Sequence, residues 1–229
     1  MNDEHVAYRR TADSGQLVMP FYLICDVSYS MRGDMRELND GVRRLRTAIL
    51  ADPVVDDIAQ ICLMSFSDDA KVLMPMAKMS EVRLPRLAEE GGTNYGAAFR
   101  ELARAIEHDG ANLTRHGYQV YRPCALFLTD GKPTDRTWHE TFTRTLTYDH
   151  QTGQGMKTHP IFAPFGFRNA PEEVLKQLAY PPEKGKWYHA RTTSVEQALA
   201  GILHIIMQTV IMSDRGEISR YFPWATIRR

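Results

Sequence analysis

Apolar positions along the chain fall into short unbroken runs, separated by stretches in which apolar residues recur every three or four positions. "VMPFYLICD", Val18 to Asp26, is a run of the first kind. So continuous an apolar stretch suits a strand buried on both faces. It leads into a segment from about Gly33 to Leu50 whose Met35, Leu38, Val42, Leu45 and Ile49 share one helical face, with "VRRLR" supplying the solvated side. Asp52-Pro53 ends that helix. "AQICLMSFS" and "AKVLMPM" read as strands joined through Ser67, Asp68 and Asp69, which predicts a hairpin with the second strand as an antiparallel edge. After a polar loop through Pro85, "GGTNYGAAFRELARAIEHDG" predicts a Gly-rich turn and then a helix. Tyr95, Phe99, Leu102 and Ile106 face inward in that helix, and Gly110 is its stop.

"PCALFLTDGKPTD" is a buried strand running into a turn, followed by a helix over about Arg136 to Tyr148 and a strand in "HPIFAPFG". Pro171 opens a helix in "PEEVLKQLA", and "KWYHA" is a last short strand. "SVEQALAGILHIIMQTVIM" closes the pattern as a long helix with Ser194 as N-cap and Glu196 in its first turn. The alternation predicts an α/β fold with three α/β/α layers around a mostly parallel six-stranded sheet, one edge strand being antiparallel. Ligands gather beyond the carboxyl ends of the strands in such sheets, where strand order reverses. No internal repeat or low-complexity segment is present.

Length and charge narrow the picture. The 229 residues suffice for one domain with a full core. The pattern divides the chain into a polar leader over 1–17, a domain over 18–213 and a tail over 214–229 that contains the aromatic and basic "YFPWATIRR". Lys plus Arg and Asp plus Glu balance at 28 each, so no global field draws the protein to nucleic acid or an anionic membrane. The N-terminal stretch has no apolar core of a signal peptide, and "GILHIIMQTVIM" is too short to span a bilayer. A soluble, cytoplasmic protein is expected. Cys25, Cys62 and Cys124 each sit inside an apolar run with no zinc spacing, so buried reduced thiols are expected.

The candidate chemistry lies in three loops. "DVSYS" offers Asp26, Ser28 and Ser30, "GGTN" offers Thr93, and "TDG" offers Asp130. All are oxygen donors, which suits a hard cation such as Mg²⁺, with Mn²⁺ or Ca²⁺ as alternatives. The period-two spacing of Asp26, Ser28 and Ser30 lets an extended turn aim the three side chains at one point, and Gly91 and Gly92 free the backbone beside Thr93 to approach. Taken singly, each loop is better accounted for by helix caps and a turn pair.

Taken together, DxSxS, then Gly-Gly-Thr, then an apolar strand ending in TDG resemble the von Willebrand factor A family with its metal-ion-dependent adhesion site. Asp26, Ser28, Ser30, Thr93 and Asp130 match that family's five metal-site positions. The resemblance covers about Met19 to Ser213 and is nearest to an intracellular bacterial branch associated with tellurium resistance, through "GGTNYGAA" and "TDGKPTD". It implies a sheet ordered 3-2-1-4-5-6, metal held directly by the serines and threonine, and aspartates acting mostly through water. It also implies a partner protein whose Asp or Glu completes the coordination, in a bacterial stress-response or signalling system that includes kinases and phosphatases.

Tyr29, Tyr95, Lys132 and Trp138 lie in the same loops and are candidates for an aromatic and basic rim on which a partner docks; ordinary packing is their alternative. The rival function is a Mg²⁺-dependent phosphohydrolase. No P-loop, Ser elbow or Cys nucleophile loop appears, Ser28 stands where a phosphatase of the haloacid-dehalogenase type needs a second Asp, and Asp135 and His139 are the only nearby acid-base candidates. A binding module and not an enzyme is therefore expected. A scaffold with a purely structural metal is the third possibility.

Overall fold

The computed structural model describes residues 15–182, 185–190 and 194–214. The expected leader lies outside the described residues over 1–14, and the expected tail lies outside them from 215 onward. Strand β1, Leu17–Asp26, is buried from Val18 to its end and lies at the centre of the sheet. A 3-10 helix, Tyr29–Gly33, and helix α1, Met35–Leu50, follow it. Helix α2, Pro53–Ile58, then leads to β2, Ala59–Phe66, and β3, Ala70–Ala77. Helix α3 is Tyr95–Arg115, β4 is Gln119–Val120, β5 is Cys124–Thr129 and α4 is Trp138–Leu146. The chain closes with β6, Ile161–Phe167, α5, Glu172–Leu178, β7, Tyr188–Ala190, and α6, Val195–Asp214.

The sheet runs β3-β2-β1-β5-β6-β7, with the two-residue β4 pairing beside the start of β1. Without β4 this is the order 3-2-1-4-5-6. Every pairing is parallel except β2 with β3, the predicted hairpin. Helices α1 and α6 cover one face with an aliphatic layer that includes Leu38, Val42, Leu45, Ile49, Ile202 and Ile206. Helices α3 and α4 cover the other with an aromatic layer that includes Tyr95, Phe99, Phe127, Phe142 and Phe162. Cys25, Cys62 and Cys124 are free and buried. No helix among the described residues is long and apolar enough to cross a membrane.

Three local expectations change. Gly110 does not stop α3: it is a buried interior position, and the apolar period continues to Leu113. The stop is Gly117, whose φ of 81° is the left-handed conformation a helix C-terminus favours, with Tyr118 N–H returning to the carbonyl of Leu113 at 3.1 Å. Asp52-Pro53 ends α1 but also starts α2, because the Asp52 carboxylate accepts the N–H groups of Val54 and Val55. Helix α4 is shorter than expected, starting at Trp138 and ending at Leu146.

Candidate metal centre

Register places the ends of β1, β2 and β5 level: Asp26 lies beside Phe66, and Cys25 lies beside Leu128. Since β2 and β5 flank β1 on opposite sides, the chain leaves a crevice at that end of the sheet. Asp26 closes β1 there with no exposed surface. Its Oδ1 accepts the backbone N–H of Ser28 at 2.9 Å, and its Oδ2 accepts the hydroxyl of Thr129 at 2.7 Å. The first bond folds the chain back over the strand end. The Oγ atoms of Ser28 and Ser30 then lie 3.0 Å apart, and Ser30 donates to Asp130 Oδ1 at 2.7 Å across 100 positions of chain.

The loop bearing Thr93 is laid against this turn by main-chain bonds. Tyr29 N–H donates to the carbonyl of Gly91 at 3.0 Å, Glu90 N–H to that of Val27 at 2.7 Å, and Thr134 N–H to that of Thr93 at 2.9 Å. Gly91 has φ 47°, and a Cβ there would collide with the Asp68 carboxylate. Glycine is thus required both for conformation and for space. The Asp68 carboxylate itself accepts the N–H of Gly92 at 3.0 Å and so stiffens the loop. Thr93 is buried, at 7% exposure.

Burial dominates the electrostatics. It pushes the Asp26 carboxyl up to about 6; hydrogen bonds from Ser28 and Thr129 act against it, and the negative charge of Asp130 adds to it. A buried carboxylate in this state is relieved by a cation. Among the described residues no three His, Cys, Asp or Glu side chains form a metal-holding group; the donors gathered here are hydroxyls with two carboxylates.

The four rim candidates separate. Tyr29 is 64% exposed and Lys132 is exposed, each within two residues of a donor of the cluster. Trp138 is half-buried, with its ring set edge-on to Tyr95 at 6.2 Å. Tyr95 does not belong to a rim: it is wholly buried, enclosed by Phe66, Phe99 and Phe127. Its hydroxyl lies 2.9 Å from the Gly131 carbonyl and 3.1 Å from Thr129 Oγ1, both of which it can serve as donor. It therefore works from beneath the cluster, and burial raises its pKa well above the usual phenol value.

Asp135 accepts the backbone N–H groups of Tyr95 and Gly96 at 2.9 and 3.1 Å, which ties its carboxylate to the N-terminus of α3. His139 is exposed and packs against Trp138. Thr129, Asp68 and Asp135 hold the centre in place yet carry no spacing signal. A polar residue ending an apolar strand one position before Asp130 is the signal that could mark Thr129.

The model of the von Willebrand factor type A domain family matches residues 21–132. No curated protein matches the chain by sequence. Among solved structures, the ArnB paralog VWA2 from Sulfolobus acidocaldarius is 18% identical with a TM-score of 0.54, over 83% of this chain and 45% of its own. A von Willebrand factor type A structure from Catenulispora acidiphila is 15% identical with a TM-score of 0.52, over 87% of this chain and 43% of its own. The conserved hypothetical protein BatB from Bacteroides thetaiotaomicron is 14% identical with a TM-score of 0.53, over 85% of this chain and 98% of its own. The chain thus spans less than half the length of the first two. Such identities speak for fold alone, and that fold agrees with the sheet order and flanking helices above. The match to the von Willebrand factor type A family model over residues 21–132 and the fold of the described residues thus agree with each other.

Proposed function

We propose that the domain is a metal-dependent protein-interaction module, in which Ser28, Ser30 and Thr93 hold a hard divalent cation, Mg²⁺ in the first instance, and an Asp or Glu of a partner completes its coordination. The observation that carries this is the 3.0 Å between Ser28 Oγ and Ser30 Oγ. Adjacent corners of an octahedron with metal–oxygen arms of ~2.1 Å, the Mg²⁺ value, are also about 3.0 Å apart. The spacing of the two hydroxyls therefore suits neighbouring ligand positions without rearrangement of the turn.

Neutral hydroxyl ligands leave most of a bound cation's charge unbalanced, and that charge is what attracts a carboxylate. Asp26 and Asp130 act one step back. Asp26 fixes the turn through Ser28 N–H, and Asp130 fixes the rotamer of Ser30. Tyr29 and Lys132 offer an aromatic and a basic contact beside the cation. Binding rather than hydrolysis is favoured because the Asp135 carboxylate is committed to the start of α3. The "GGTNYGAA" and "TDGKPTD" blocks support a partner from a cytoplasmic bacterial stress-response system of the tellurium-resistance type, with a kinase or phosphatase of that system as the candidate.

Affinity capture from the source lysate, with and without a divalent chelator, tests the proposal alongside Ser30→Ala. An acidic partner retained only with metal, and lost by Ser30→Ala while the helix and sheet signal persists, is the expected result. Retention that ignores both chelator and substitution contradicts it, and unfolding of Ser30→Ala would make Ser30 a structural cap.

A further inference from the structure

Arg168 stands directly after β6 and has φ 51°, the only left-handed backbone among the described non-glycine residues. A residue with a Cβ pays a steric penalty there, and such a conformation persists where the surroundings demand it. Its guanidinium donates to Asp34 Oδ1 across 134 positions of chain. Asp34 is 4% exposed, and its Oδ2 is buried without a hydrogen-bond partner. Among the described residues, Arg168 is the one cation that pairs with it.

Asp34 is the joint between the 3-10 helix and α1. Its N–H donates to the Met31 carbonyl at 2.8 Å, and its own carbonyl accepts Leu38 N–H at 2.8 Å. The 3-10 helix carries Ser30. A single turn of this kind has poor hydrogen-bond geometry and depends on anchors outside itself. Tyr29 N–H to the Gly91 carbonyl anchors the start, the fully buried Met31 anchors the middle, and the Asp34–Arg168 pair anchors the end from β6.

We propose that Arg168 is a positioning residue of the metal centre: by gripping Asp34 it fixes the 3-10 helix that carries Ser30, and so sets cation affinity without touching the cation. This rests on the metal-binding function proposed above. Charge and position pull in opposite directions here, which makes the sign of the effect informative. Removing the guanidinium leaves Asp34 uncompensated within reach of the charge on Asp130, so a through-space effect alone would tighten Mg²⁺ binding. Loss of positioning weakens it.

The test is calorimetric titration of Mg²⁺ into the wild type, Arg168→Met and Arg168→Gly, well below their melting temperatures. The glycine variant removes the backbone penalty as well as the side chain and keeps the test open if the methionine variant folds poorly. Mg²⁺ affinity about tenfold weaker in the folded variants, the size usual for loss of an outer-shell partner, is expected. Faster amide exchange at Met31 and Asp34 in the metal-free variants should accompany it. Unchanged affinity would make Arg168 a purely structural contact, and tighter affinity would make it a charge effect; either overturns the proposal. A wild type that binds no divalent cation would instead overturn the metal-binding function itself, and this inference with it.

Discussion

The two layers that cover the sheet are built from different residues and reach the candidate metal centre by different means. Between the sheet and α3 and α4, Phe66, Tyr95, Phe99, Phe127, Phe142 and Phe162 pack with ring centroids 4.8–5.9 Å apart, mostly edge-on. Between the sheet and α1 and α6, packing is mainly aliphatic, with Phe21, Phe165 and Phe167 contributed by the strands. From the aromatic layer the Tyr95 hydroxyl reaches Thr129 and through it Asp26. Among the described residues, no side chain of the aliphatic layer is hydrogen-bonded to the cluster. That layer acts by seating α1, whose preceding turn presents Ser30. One side thus supports the centre through side-chain hydrogen bonds and the other through placement of a helix.

The largest expected effect tests whether the aromatic layer is one packed unit. Phe127→Ala should cost about 3–5 kcal/mol by denaturant unfolding, whereas Ile49→Val in the aliphatic layer should cost only about 0.5–1.5 kcal/mol. A loss below ~1 kcal/mol at Phe127 would mean that the ring contacts add little.

Next comes the pH dependence of the metal-free protein. Asp26 has its carboxyl pushed up to about 6 from the ordinary 3.8, chiefly by burial. The folded state therefore holds more protons than the unfolded state between those values, and stability falls as pH rises through the window. The loss is on the order of 2–3 kcal/mol. Thermal melts from pH 4 to 7 should show it, and Mg²⁺ should restore stability at the upper end. A metal-free melting profile that Asp26→Asn leaves unchanged would remove Asp26 as its source.

Smallest is the link between layer and centre. Tyr95→Phe keeps the ring packing and deletes one hydroxyl, so it should cost about 0.5–1.5 kcal/mol. It should weaken Mg²⁺ by less than about tenfold, since Thr129 still donates to Asp26. Loss of the metal altogether would show that the hydroxyl is indispensable, and no change in either quantity would detach the aromatic layer from the centre.

Much of this architecture is legible in the sequence. The buried runs ending at Asp26, Phe66 and Thr129 are the strands whose level ends frame the crevice, and the period-two spacing of Ser28 and Ser30 predicts that their oxygens meet. What escapes is set by distance along the chain. Thr129 bonds Asp26 across 103 positions and Arg168 bonds Asp34 across 134, contacts that leave no periodic trace. Gly110 and Gly117 show the local limit: both follow helical sequence, and only packing of Leu113 on the body decides which one ends α3. Tyr95 shows the converse. A tyrosine next to a site motif suggests a docking surface, but the apolar period that it shares with Phe99 and Leu102 turns it into the core.

The most direct measurement is a high-resolution crystal structure grown in ample Mg²⁺. The account predicts an ion at ~2.1 Å from Ser28 Oγ, Ser30 Oγ and Thr93 Oγ1, with water or an acidic group in the remaining positions. Those three side chains pointing apart, or Ser28 and Ser30 still bonded only to each other and to Asp130 with no ion between them, would contradict it.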